Sequence, residues 1–107
     1  MKISILLPYK ENFSPTYPGA VSLFVNDTTK LSKYKKNITI FGNTNFKDTF
    51  NLKYRNIFLK KRLFRSQSKK YVDEFIKIEK SNNSDLIEIH NRPNYLKYLV
   101  ENLDERN

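Results

Sequence analysis

Apolar residues fall in short runs separated by polar stretches with helical spacing. Ile3, Ile5, Leu6 and Leu7 form the first run, apolar on both sides, and Pro8 ends it. Such a run predicts a strand buried on both faces of a sheet. A loop over residues 9–18 follows, carrying three aromatic residues and two more prolines, Pro15 and Pro18. After Gly19, the residues Ala20, Val21, Leu23, Phe24, Thr28 and Leu31 trace an amphipathic helix to about Tyr34. Ile38, Ile40 and Phe41 predict a second strand ending at Gly42. Residues 43–53 are polar with Phe46, Phe50 and Leu52 interspersed, and read as a loop with at most one helical turn. Residues 54–59 predict a third, weaker strand. Helical spacing resumes with Tyr71, Val72, Phe75, Ile76 and Glu79 until Asn82 and Asn83 break it. Leu86, Ile87 and Ile89 predict a fourth strand, again buried on both faces, opened by Asp85. Pro93 then sits near the first turn of a last helix, where its missing N–H costs nothing, followed by Asn94, Tyr95, Leu96, Leu99, Val100 and Leu103.

Strands alternating with helices predict an α/β fold: a Rossmann-like parallel sheet with helices on both faces. In the common winding order 3-2-1-4, the first and fourth strands are neighbours and the chain reverses direction between them. Ligands of open α/β sheets bind in the crevice at that reversal, outside the carboxyl ends of the strands. Residues 9–20 would line one side of it and residues 90–92 the other. With 107 residues, the expectation is a single domain over 1–107 with a modest core, small for an enzyme of two substrates.

Composition removes several classes. There is no cysteine, hence no disulfide framework, and a single histidine argues against a structural zinc site; no metal and no cofactor are expected. The opening MKISILLP is too brief for a signal peptide or a membrane span, so the chain reads as cytoplasmic. The formal charge of +9 points to anionic partners. Its weight is reduced because the chain is rich in Lys and Asn throughout. Lys60, Lys61, Arg62, Arg65, Lys69 and Lys70 crowd one span, read first as a solvated face. No G-x-G-x-x-G follows the first strand, and neither G-K-[ST] nor G-x-S-x-G occurs. Lys10 and Glu11 stand where a receiver domain would have clustered aspartates.

Two segments remain as candidate binding residues. Gly19 and Ala20 open a helix, where a glycine admits close approach and free amides attract phosphate or carboxylate. The plainer role for Gly19 is making the turn. His90, Asn91 and Arg92 bunch at the end of the fourth strand. There, His90 could be a satisfied structural residue, and Arg92 a cap or a bridge to Asp85 or Glu88 worth about 0–1 kcal/mol if exposed. Glu88 lies within the strand and reads as structural; Tyr71 and Phe75 read as core.

The segments ILLP, PGAVS opening a helix, ITIFG and IEIHNRP together resemble the amino-terminal half of a GT-B glycosyltransferase, nearest the retaining family-four group. The likeness spans nearly the whole chain but about half of such an enzyme. It implies that Gly19 and Ala20 match a turn facing the interdomain cleft, near donor phosphate or acceptor. It further implies that His90, Asn91 and Arg92 line the acceptor side, His90 bonding a sugar hydroxyl and Arg92 a phosphate or carboxylate. One departure is that the family often has two adjacent glycines, whereas Pro18 precedes Gly19 here. The implied partners are a nucleotide-sugar donor, held mostly by a carboxyl-terminal domain with nothing corresponding in this chain, and a glycan or lipid-linked acceptor. Docking of residues 60–70 on anionic lipid at the inner membrane face fits such an acceptor. The implied chain is a partial one, inactive alone, with no catalytic residue of its own. The competing classes are a small basic α/β module binding nucleic acid, drawing on Lys and Arg interleaved with aromatics, and a non-catalytic scaffold.

Overall fold

In a computed structural model of the chain, residues 1–59, 67–90 and 93–103 are described. Among them, four strands form one parallel sheet: β1 (Ile3–Leu6), β2 (Ile38–Gly42), β3 (Tyr54–Asn56) and β4 (Leu86–Ile89). The order is β3-β2-β1-β4, as the alternation predicts. β1 is central, with Ile5 opposite Ile40 on β2 and Glu88 on β4. Three helices accompany them: α1 (Ala20–Leu31), α2 (Gln67–Asn82) and α3 (Pro93–Leu103). A short 3-10 turn at Lys35–Asn37 leads into β2. No described helix is long and apolar enough to cross a membrane.

Each face of the sheet carries its own core. On one, Leu6 and Phe41 meet Tyr71, Val72, Phe75 and Ile76 of α2 and Tyr95, Leu99 and Leu103 of α3. The Tyr71 hydroxyl donates to the Leu7 carbonyl at 2.6 Å, which fixes α2 to the end of β1. Burial first, then the neighbouring phenols Tyr54 and Tyr95, hold the Tyr71 pKa well above its ordinary value. On the other face, Ile3, Ile5, Leu7, Ile38 and Ile40 are covered by Val25 of α1 and by Phe13 from the loop after β1. Phe13 stacks on Tyr54 and meets Phe50 edge-on, at 5.2 and 5.0 Å between centroids. The aromatic residues of the two long loops thus complete the cover.

Three expectations need correction. The buried face of α1 consists of Ser22, Val25, Asn26 and Thr29, while Phe24 is 58% and Leu31 89% exposed. Small side chains let the helix lie over the sheet because Phe13, from outside the helix, fills the core there. The second correction concerns β4. It is an edge strand among the described residues, not one buried on both faces: Ile87 and Ile89 pack inward, but Leu86 is 50% exposed. A run of apolar residues records hydrophobicity without recording whether a neighbour lies on each side. β3 is also shorter than expected, ending at Asn56.

The start of β4 is fastened to β1 by buried polar groups. Ser84 Oγ and Ser4 Oγ are 2.6 Å apart, and Glu79 of α2 accepts from Ser84 N–H at 2.8 Å and from its hydroxyl at 2.5 Å. Asn83, at φ 54°, takes the left-handed conformation that ends α2, its N–H donating to the Glu79 carbonyl.

Candidate functional site

β1 and β4 are adjacent and lead into different helices, so the reversal of winding lies between them. The segments following both strands meet there. Tyr9, three residues past the end of β1, donates its backbone N–H to the Tyr95 hydroxyl on α3 at 3.2 Å. That same hydroxyl lies 3.1 Å from Ser68 Oγ on α2. These bonds close the α2/α3 side of the crevice.

On the α1 side stands His90, placed by the alternation of β4. Leu86, Glu88 and His90 follow one another at every second residue, so Glu88 and His90 share a side. His90 Nε2 is 2.8 Å from Glu88 Oε2. The imidazole ring is tilted edge-on to Phe24, with centroids 6.0 Å apart. Phe24 belongs to the first turns of α1, five positions past Gly19. The His90 corner therefore meets the helix that Gly19 and Ala20 open, at Phe24. Glu88, expected to be structural, is exposed and orients His90. Asn91 and Arg92 lie outside the described residues, as do residues 60–66 of the basic cluster.

Gly19 has a role the sequence reading missed. Its backbone, at φ −76° and ψ 163°, is extended and open to any residue. What it provides is space. A Cβ built there would lie 1.7 Å from Glu11 Oε2, and that oxygen accepts the Ser22 N–H at 3.1 Å. The α1 terminus is thus capped by a carboxylate from the preceding loop. Its own cap residue has no side chain, and no acid stands in its first turn. Those two deficits were the available signal, with Glu11 the only acid in residues 9–18. Pro8 O accepts the Glu11 N–H at 3.1 Å, and Lys10 between them has φ 67°, so a tight turn throws Glu11 back toward the helix. Glu11 Oε1 has no hydrogen-bond partner among the described residues.

Beneath the same helix, Ser22 Oγ and Asn26 Oδ1 are buried without a hydrogen-bond partner among the described residues. No cluster of three or more His, Cys, Asp or Glu among those residues is arranged to hold a metal. Compared with protein-family models, curated proteins and solved structures, the chain matches none.

Proposed function

We propose that the chain is the acceptor-side, amino-terminal half of a GT-B-type glycosyltransferase, whose parent enzyme moves a sugar from a nucleotide-sugar donor to a glycan or lipid-linked acceptor. The observation that carries this reading is the His90–Phe24 contact, which brings the β4 corner against the helix opened by Gly19 and Ala20. A groove at the winding reversal of a parallel sheet is where such a fold takes a ligand. Within it, His90 Nε2 pairs with the Glu88 carboxylate, and Nδ1 is the ring nitrogen left to meet a sugar hydroxyl. Asn91 and Arg92, next along the chain, are the amide and guanidinium that the resemblance assigns to acceptor binding. The donor is held mainly by a second domain, so this chain alone binds and does not turn over. The basic residues of the 60–70 span, apart from Lys70, which the structure buries rather than leaving on a solvated face, suit an anionic membrane surface presenting a lipid-linked acceptor.

Titration of the isotope-labelled chain with neutral oligosaccharides tests the reading. Saturable shifts at the His90 ring and at the amides of residues 19–24 support it, with no hydrolysis of nucleotide sugars. Shifts produced instead by generic RNA or DNA, steeply weakened by salt, would replace it with the nucleic-acid reading.

A further inference from the structure

We infer that the outward face of α1 docks the protein on an anionic lipid bilayer, with Leu23, Phe24 and Leu31 entering the interface and the lysines that follow them meeting the headgroups. This deepens the reading of a lipid-linked acceptor. It rests on that reading for what the docking serves, but not for the contact itself.

α1 is turned the opposite way from an ordinary helix on a sheet. Its buried side is Ser22, Asn26 and Thr29 around Val25, while Leu23, Phe24 and Leu31 are 44%, 58% and 89% exposed. A helix covering a sheet gives its apolar stripe to the core and its polar side to water. α2 does so, burying Tyr71, Val72, Phe75 and Ile76. On α1, Phe24 and Leu31 stand two turns apart and share a face, with exposed Ala20 one turn before Phe24 and Leu23 beside it. Tyr34, in the turn after the helix, is exposed as well. Apolar side chains gathered in one outward row mark a surface that something covers.

The charges around the row indicate what covers it. Lys30, Lys33, Lys35 and Lys36 are all exposed at its carboxyl end, and Asp27 is the only acid in residues 20–37. Lys33 Nζ lies 5.2 Å from the centre of the Tyr34 ring, so a cation and an aromatic ring stand together at the margin. An apolar row rimmed by lysines and a tyrosine repeats the layering of a bilayer surface, acyl chains beneath anionic headgroups. A second copy of the chain fits the row less well, since it would set the same lysines against one another on chains of +9 each. The face is also continuous with the candidate site: Phe24, part of the row, meets His90 with ring centroids 6.0 Å apart. Docked on this face, the protein holds the His90 corner beside the membrane surface, where a lipid-borne acceptor lies.

The probes are vesicles of phosphatidylcholine with and without phosphatidylglycerol, free of any acceptor and mixed with the full chain. Binding is expected with the anionic lipid, weakening as salt rises, and little with phosphatidylcholine alone. Leu31→Gln, at a position with almost no packing to lose, should bind at least about tenfold more weakly at an unchanged urea midpoint. Lys30→Glu combined with Lys33→Glu should weaken binding to the anionic vesicles by at least about tenfold, and Asp27→Asn should strengthen it. Spin-labelled lipid should broaden the amides of residues 20–34 in the isotope-labelled chain. Equal binding by wild type and Leu31→Gln, or broadening confined to α2, would overturn the inference. So would a dimer, seen by sedimentation without lipid, that Leu31→Gln breaks, because a second copy would then cover the row. Vesicle binding as expected, with no oligosaccharide shifts at His90, would instead overturn the glycosyltransferase reading alone.

Discussion

His90 stands edge-on to Phe24 while its Nε2 meets Glu88, so one imidazole ties the last strand of the sheet to the first helix. Phe24 is more than half exposed and supplies the ring with a wall rather than a core contact. Phe24→Ala is therefore expected to cost only about 0.5–1 kcal/mol in urea unfolding. It should nevertheless move the His90 ring-proton resonances, because the neighbouring aromatic ring is gone. Unchanged resonances would separate the two segments.

Tyr71 makes alkaline stability a measurable quantity. Its phenol is buried and held neutral in the folded chain, with its pKa raised from 10.0, whereas the unfolded chain releases the proton near that value. The contribution is whole below pH 10.0 and shrinks as pH rises above it, since the unfolded state then binds fewer protons than the native one. Urea midpoints should fall over that range. Tyr71→Phe should cost about 1–2 kcal/mol at neutral pH by removing the bond to Leu7 O, and should flatten the alkaline decline.

Glu79 governs the joint between α2 and β4. Glu79→Ala leaves the buried Ser84 N–H and hydroxyl without their carboxylate, and is expected to lower stability by about 2–3 kcal/mol in chemical denaturation. Glu79→Gln, which retains an acceptor oxygen, should cost less.

Ser22→Ala should act in the opposite direction. The buried Ser22 hydroxyl has no partner among the described residues, while the backbone N–H that Glu11 caps is untouched by the substitution. A gain of about 1 kcal/mol in the urea midpoint is expected, with the Ser22 amide resonance little changed.

Strand positions and their order were legible because parallel strands covered by helices leave short apolar runs, and Ile3, Ile5, Ile38 and Ile40 keep that pattern. The adjacency of β1 and β4, which brings His90 against Phe24 of α1, followed from the winding order. The face of α1 was not legible. Apolar spacing picked Leu23, Phe24 and Leu31, but the helix buries Ser22, Asn26 and Thr29, because a loop phenylalanine, Phe13, occupies the core beneath it. Periodicity within a helix carries no information about a side chain arriving from a distant loop. Glu11 escaped for the same reason, since its partnership with Gly19 spans a loop whose path only the fold defines.

The central position of β1 has a consequence for how the chain assembles. The earliest of these four strands receives its second neighbour from more than 80 positions later: Lys2 N–H donates to Asp85 Oδ2 at 2.6 Å across 83 positions, and Ser4 finds Ser84 across 80. Until residues near 90 leave the ribosome, one flank of β1 has no partner, and its apolar side chains wait with it. Closure of so long a segment is slow relative to local helix formation. The contact of His90 with Phe24 can therefore form only late in folding, when the histidine corner arrives beside a helix made long before.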